Sequence, residues 1–351
     1  MTDKHLTNAI PVPTIAPVPT AAPVPPSMPA IIRALGRGKS GFRDLSFDEA
    51  AFVMGAILNG TITQAQLGAF LMLMRVKEET AEELAGMVTA CVDPLTATPS
   101  YPVDVNWPAY AGKKKQPSWY LLAARLLAQN GISIFIHGGG EHTQGRQYAI
   151  DVCRVLGIAV VSSLSEAQVE LQRSNICYMA LADISPALSA IIDMKAELGL
   201  RSPANTLVRH INPLQAGLTL QGMFHPAYMV LHHQTAILLG QDNNLVLKGD
   251  GGEFEVRPDS LTAVSIHDGV NSVHDSVNSD QHKIEPVLAR RALRPKKAHL
   301  EPLLALWDRD EGDGYGQAAA LQTAALIVSA LRRVSLASAQ TTIEQWWAQR
   351  H

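Results

Sequence analysis

Residues 46–93 read SFDEAAFVMGAILNGTITQAQLGAFLMLMRVKEETAEELAGMVTACVD and repeat one helix-starting signal three times. Ser46, Thr63 and Thr80 are each followed three residues later by Glu or Gln, the pattern of a capping box that satisfies the free amides of a helix start. Apolar residues follow each signal at helical spacing, and Asn59-Gly60 supplies a left-handed helix stop. The stretch therefore predicts three successive helices in a compact helical subdomain.

Downstream of Pro94, short apolar runs alternate with longer amphipathic ones. The predicted strands are 103–105, 132–136, 158–161, 176–181, 244–247 and 261–266. The predicted helices are 118–129, 143–156, 165–173 (with a capping box at Ser165), 186–198, 226–239, 317–333 and 341–350. Such alternation favours an α plus α/β protein whose mostly parallel sheet is flanked by helices. The polar stretch 267–285 is predicted to be a surface loop.

Upstream, residues 1–29 hold eight of the 21 prolines. Proline fixes φ and removes an amide donor, so this segment is predicted to be a disordered, extended tail. Its prolines also interrupt the apolar run that a secretion signal needs, while a PxxP docking role stays open. The predicted domains are therefore the tail 1–29, the helical subdomain 30–96, which later helices can join, and the α/β domain 97–351.

The composition excludes several classes of protein. The chain of 351 residues has 29 Lys and Arg against 32 Asp and Glu, a net charge of −3, so nucleic acid can bind only to local basic patches. Its three cysteines form no CxxC pair, which argues against a disulfide framework and a zinc site. No apolar run is long enough to span a membrane. These features predict a cytoplasmic protein.

The most basic loop is Asn106–Pro117, which contains Lys113, Lys114 and Lys115. Trp107, Tyr110 and Trp119 lie nearby, and lysines beside aromatic rings are typical of single-stranded nucleic-acid binding. A merely solvated lysine run is the alternative. Two further basic clusters span residues 33–43 and 290–297.

The signals for catalysis are weak. His137-Gly138-Gly139-Gly140 follows a predicted strand, but its spacing matches neither the dinucleotide-binding nor the P-loop pattern. HExxH and GxSxG are absent, and the adjacent His232 and His233 cannot chelate one ion from the same helix face. No catalytic residue and no metal ligand is assigned.

Several landmarks fall in the order of a known family: LGLR at 198–201, Asn205-Thr-Leu, Asn212-Pro213, LQGMFHP at 220–226 and Ile136-His137-Gly138. Over residues 30–340 the chain resembles the anthranilate phosphoribosyltransferase family, whose fold is shared with the type III nucleoside phosphorylases. The resemblance implies a vestigial substrate pocket. Its residues would be His137, Gly138, Arg201 and Asn205.

The departures from the family bear on activity. The glycine amides of the family's GTGGD motif hold a diphosphate, whereas the equivalent loop here begins Trp107-Pro108 and is bulky. The family's lysine before His-Gly-Asn is Ile136 here, and its adjacent acidic pair for Mg²⁺ appears as Glu253-Phe254. Transfer from phosphoribosyl pyrophosphate is therefore expected to be lost, with no cofactor required.

The segment from Pro102 to Gly138 is more similar to the YbiB-type branch of the family than to the enzymes, because it has the same aromatic-Ala/Asn-Gly-basic-Lys-Gln loop. Members of that branch bind nucleic acid without marked sequence preference. This resemblance implies a homodimer that binds DNA, or RNA, along a basic cleft. The expected phosphate-binding residues are Lys39, Arg43, Lys113, Lys114, Lys115, Arg201 and Arg209. Two alternatives stay open: a divergent glycosyl- or phosphoribosyltransferase with an unknown acceptor, which would need Mg²⁺ and phosphoribosyl pyrophosphate, and a small-molecule-binding module.

Overall fold

The fold joins an N-terminal helical bundle to a mostly parallel sheet flanked by helices, as the sequence predicts. The computed structural model describes residues 26–38, 40–95, 100–140, 143–241, 243–267, 281–290, 295–312 and 314–350. Among these residues no helix combines the length and the apolar character needed to cross a bilayer.

The bundle begins with four helices: α1 (Met28–Gly36), α2 (Phe47–Leu58), α3 (Gln64–Lys77) and α4 (Ala81–Val92). The three predicted capping boxes are confirmed, each with both of its hydrogen bonds, and Gly60 ends α2 with a positive φ. Helix α1 starts inside the predicted tail because Met28 is buried in the bundle core. Residues 1–25 of that tail lie outside the described part of the chain.

One buried carboxylate ties the bundle together. Glu83, at the start of α4, accepts hydrogen bonds from the amides of Leu45 (2.8 Å) and Thr80 (2.9 Å). It also pairs with the ammonium of Lys77 at 2.7 Å. The same carboxylate thus caps α4 and fixes the segment before α2, so one side chain makes both a local and a tertiary hydrogen bond.

Four short helices from the middle of the chain complete the bundle core: α8 (Leu181–Ile184), α9 (Pro186–Asp193), α10 (Lys195–Leu198) and α11 (Ala204–Leu207). Leu188 and Leu207 are buried in one apolar cluster with Phe70 and Met74 of α3. The predicted helix 186–198 is divided at Met194, where α9 ends.

The described strands form a single sheet in the order β3-β4-β2-β1-β5-β6-β7-β8. Their bounds are β1 Val105–Pro108, β2 Ile134–Gly138, β3 Ala159–Val161, β4 Ile176–Ala180, β5 Leu218–Met223, β6 Asn244–Lys248, β7 Thr262–His267 and β8 Gln281–Ile284. All pairs among strands β1 to β6 are parallel, whereas the β6–β7 and β7–β8 pairs are antiparallel. The sequence prediction missed β5 and β8. It wrongly included β8 in the surface loop 267–285, of which residues 268–280 lie outside the described part.

Helices flank the sheet: α5 (Tyr120–Gln129), α6 (Ala149–Val155), α7 (Leu164–Ser174), α12 (Ala227–Leu238), α13 (Glu301–Arg309), α14 (Tyr315–Arg332) and α15 (Leu336–Ala348). The capping prediction for α7 is wrong by two residues, since the hydroxyl of Ser163, not Ser165, accepts from the amide of Glu166. Helix α6 starts later than predicted because Gln147 is held extended in a bridge to Lys113. Helix α13 was not predicted.

We predict that Gly86→Ala in α4 lowers the free energy of unfolding by about 1–3 kcal/mol. A Cβ at Gly86 would lie 2.2 Å from the carbonyl oxygen of Phe47, so α2 and α4 would have to separate. Gly68→Ala in α3 is the control, because a Cβ there meets nothing within 4 Å. It should stabilise the protein by about 0.5–1 kcal/mol. Urea titrations measure both, and equal effects would contradict the close helix contact.

Candidate functional site

The loops that follow β1, β2, β5 and β6 meet at the carboxyl edge of the sheet, where ligands bind in open α/β folds. Two glycines permit this meeting. A Cβ at Gly138 would lie 2.3 Å from the carbonyl oxygen of Ala109, and one at Gly222 would lie 2.2 Å from the carbonyl carbon of Glu253. The loop 109–115 and the loop 249–255 are therefore pressed directly against the strand ends.

Three amides of the loop after β1 are already used within the protein. The amide of Ala109 donates to the carbonyl of His137 at 2.7 Å, and that of Lys113 donates to the carbonyl of Gln147 at 2.8 Å. The amide of Gly112 donates to Oε1 of Glu253 at 2.5 Å. Pro108 has no amide proton, so none of these four positions offers a free donor to an anion.

Lys113 is not on the surface, which corrects its expected role as a phosphate contact. Its side chain is only 1% exposed, and its ammonium lies 2.6 Å from Oδ2 of Asp250 and 2.7 Å from Oε1 of Glu255. Burial disfavours the charged form of Lys113, but the two carboxylates outweigh burial and raise its pKa above the ordinary value. The ammonium is thus charged and already neutralised by protein groups.

The expectation that the aromatic rings near the lysines stack on bases is also wrong. Trp107, Tyr110 and Trp119 are all buried in the hydrophobic core and are not accessible for stacking on bases. Phe224 is the accessible ring instead, 61% exposed at the carboxyl end of β5. A Cβ at Gly252 would lie 3.4 Å from Cβ of Phe224, so this ring adjoins the loop 249–255. The sequence did not reveal this exposed ring, because LQGMFHP was informative only as a landmark of the family.

Two lysine pairs that are distant in sequence form one exposed patch, hereafter the lysine patch. The amide of Ala298 donates to the carbonyl of Lys114 at 3.1 Å, which places Lys296 and Lys297 beside Lys114 and Lys115. All four side chains are exposed. None of them forms an ion pair with a described residue. The loop cluster and part of the C-terminal cluster are therefore a single surface.

Arginines converge on the same cleft from separate elements. Arg201 is exposed as a whole residue, but its guanidinium is partly buried. This partial burial, followed by the charges of Arg146 and Arg75, lowers its pKa. Arg146 donates to the carbonyls of Ala111 (2.9 Å) and Gly112 (3.0 Å), which positions it on the loop after β1. Within the described residues, neither Arg146 nor Arg201 is ion-paired.

Arg209 lies deeper than Arg201 and serves the fold. Its guanidinium donates to the carbonyls of Asn205 at 2.9 Å and Gly222 at 3.2 Å. Burial lowers the pKa of Arg209, and the nearby carboxylate of Glu253 opposes that shift. Asn205 accepts from the amide of Ser202 at 3.2 Å and so also stabilises the turn before α11.

His137 is a buried neutral side chain. Its Nδ1 lies 2.8 Å from the hydroxyl of Tyr110, and burial lowers its pKa to about 3. His232 is likewise buried, bonded through Nδ1 to Gln221 at 2.7 Å, whereas His233 Nδ1 contacts the hydroxyl of Ser265. These histidines hold the strand ends and helix α12 rather than sharing a ligand.

The basic cluster predicted at residues 33–43 lies on the helical bundle. Arg33 and Arg37 are exposed, and Arg43 forms a two-armed pair with Glu49 at 2.6 Å, which reduces its availability to phosphate. Lys39 lies outside the described residues, as do Arg291 and Arg294 of the C-terminal cluster.

Known proteins resemble the chain in sequence. Residues 29–93 match the helical bundle domain of a glycosyl transferase family. An uncharacterized protein of Aquifex aeolicus is 30% identical over 240 residues, 66% of this chain and 71% of that protein. The uncharacterized protein YbiB of Escherichia coli K12 is 28% identical over 243 residues, 68% and 75% of the two chains. Anthranilate phosphoribosyltransferase of Xanthobacter autotrophicus is 27% identical over 304 residues, 83% and 85%.

The fold has a solved counterpart as well. The crystal structure of anthranilate phosphoribosyltransferase from Thermus thermophilus superposes with a TM-score of 0.73 at 21% identity, covering 91% of this chain and 94% of that one. Bundle and sheet together define a fold of the phosphoribosyltransferase and glycosyltransferase type. In sequence and fold the chain is similar to the anthranilate phosphoribosyltransferases, and its bundle matches that of a glycosyl transferase family.

The residues present do not fit the magnesium diphosphate that the family resemblance implies. The loop amides that would face a diphosphate donate to His137, Gln147 and Glu253. The ammonium of Lys113 lies between the carboxylates of Asp250 and Glu255, where a cation would need to be. The cleft therefore has basic side chains, but it does not have the free loop amides that hold a diphosphate in the family.

Proposed function

We propose that the protein binds nucleic acid, single- or double-stranded and without strong sequence preference. The observation that carries the proposal is the lysine patch, in which Lys114, Lys115, Lys296 and Lys297 are exposed and unpaired with described carboxylates. Four exposed lysines on two neighbouring backbone segments, on a chain of net charge −3, give a local positive field that attracts phosphates. Lys113, being buried and paired, has no part in this surface.

The cleft adds two features that suit a polynucleotide. Arg146 and Arg201 bring guanidinium groups, which recognise phosphate in a planar, two-armed manner. Phe224 offers an exposed ring beside the loop 249–255, and every base has a face that stacks on such a ring. Charge and a stacking surface therefore lie on the same edge of the sheet. The homodimer stays a prediction.

We further propose that phosphoribosyl transfer has been lost. Transfer requires a positioned diphosphate whose charge is neutralised. Here the amide of Gly112 donates to the carboxylate of Glu253, and the carboxylate of Glu255 is paired with the ammonium of Lys113. The buried, neutral His137 offers no replacement charge.

Replacing Lys114, Lys115, Lys296 and Lys297 by alanine should weaken binding to all sequences alike. Each lost phosphate contact should reduce the slope of log affinity against log salt by about 0.7–0.9, because fewer counterions are released. Fluorescence anisotropy of labelled oligonucleotides across a salt series measures both quantities. Either lysine pair alone should give a partial effect.

The control for these variants removes Arg33 and Arg37, which are exposed on the bundle and match the charge of one lysine pair. That variant should keep most of the affinity. If it loses as much as a lysine-pair variant, binding depends on overall charge and the lysine patch is not the site. Melting curves establish that each variant is folded, since exposed lysines contribute little to stability.

Phe224→Ala should weaken binding of single strands by about 1–3 kcal/mol for each base that stacks on the ring. Duplex binding should change less, because bases in a duplex already stack on each other. Phe224→Trp should retain the single-strand affinity, and Phe42→Ala, which removes an exposed ring on the segment before α2, should have no effect. An equal loss for both nucleic acids would exclude stacking.

The purified protein should not consume anthranilate when supplied with phosphoribosyl pyrophosphate and Mg²⁺. Anthranilate fluorescence measures the reaction, and an active family enzyme assayed in parallel is the positive control. Turnover in the ordinary enzymatic range of about 1–1000 per second would overturn the proposed loss of transfer. It would leave the nucleic-acid measurements unaffected.

A further inference from the structure

The ammonium of Lys113 lies at the point where the loop after β1 meets the loop after β6. It donates to Oδ2 of Asp250 at 2.6 Å, to Oε1 of Glu255 at 2.7 Å and to the carbonyl of Asp250 at 3.1 Å. Three oxygens from one loop thus surround a cation from the other. The other oxygen of Glu255 accepts from the amide of Tyr120 at 2.9 Å, which fixes the carboxylate in place.

A pair of carboxylates and a carbonyl would otherwise suit a divalent cation. Mg²⁺ takes oxygen ligands at about 2.0–2.1 Å and demands near-octahedral geometry. The Lys113 ammonium is within hydrogen-bond distance of all three oxygens, so a metal ion cannot also reach them. The backbone of Lys113 is also held in place, because the amide of Lys113 and that of Gln147 donate to each other's carbonyls at 2.8 Å.

We infer that Lys113 is a built-in cation that replaces a divalent metal ion between these two loops. The replacement joins the loops without any ion from solution. The positive charge of Lys113 is fixed in the cleft, but Asp250 and Glu255 already neutralise it. Anions in the cleft are therefore bound by side chains such as Arg146 and Arg201, with no metal bridge.

Titration of Mn²⁺ alone, followed by electron paramagnetic resonance of the free ion, tests the inference. The wild-type protein should bind no Mn²⁺ that depends on Asp250 or Glu255. Lys113→Ala vacates the position and should gain roughly one Mn²⁺ per chain, with its remaining oxygen ligands supplied by water. Adding Asp250→Asn and Glu255→Gln to Lys113→Ala should abolish the gained site.

Two further arms keep the test decisive. Lys114→Ala, a neighbouring exposed lysine, should gain no Mn²⁺, and Lys113→Arg should gain none because the positive charge is kept. If Lys113→Ala does not fold, the wild-type titration still decides. Stoichiometric Mn²⁺ binding by the wild type that disappears in Asp250→Asn would overturn the inference, as would a folded Lys113→Ala that binds none.

Discussion

The buried contact of Lys113 with Asp250 and Glu255 determines the arrangement of the whole cleft. Removing three charged groups from water is costly, and such a cluster is tolerated only when each charge is paired and hydrogen-bonded. Here the amide of Tyr120 and the carbonyl of Asp250 supply the remaining hydrogen bonds. The contact fixes the loop after β1 against the loop after β6, and the exposed position of the next two lysines follows from it.

The loops at the carboxyl edge of the sheet are closed onto each other by hydrogen bonds. Gly112 donates its amide to Glu253, and Gly138 and Gly222 allow the loops to press onto the strand ends. The same loops also contribute to the packed cores, since Ala109 and Phe254 lie in the core of the sheet and Tyr110 lies in that of the bundle. One fold can carry different functions, because function depends on the residues of the site rather than on the fold.

Local signals predicted the bundle well and the cleft poorly, for a physical reason. A capping box involves residues three apart, so Ser46, Thr63 and Thr80 could be assigned from the sequence alone. Lys113, by contrast, looks identical to Lys114 in sequence. Its burial depends on Glu255, 142 positions away in the chain. Strand β5 was missed for a related reason: its sequence LTLQGM mixes polar and small residues with apolar ones, although all six are buried, which weakens the apolar pattern of a central strand.

The pairing of Lys113 also affects the electrostatics of the arginines in the cleft. Burial of the Arg201 guanidinium, followed by the positive charges of Arg146 and Arg75, lowers the pKa of Arg201, so like charges repel one another at this end of the cleft. Carboxylates of the loop after β6 do not relieve this repulsion, because Asp250 and Glu255 are bonded to Lys113. An anion from outside the protein would relieve it. The internal pairing of Lys113 thereby leaves the guanidinium groups of Arg146 and Arg201 without a carboxylate partner among the described residues.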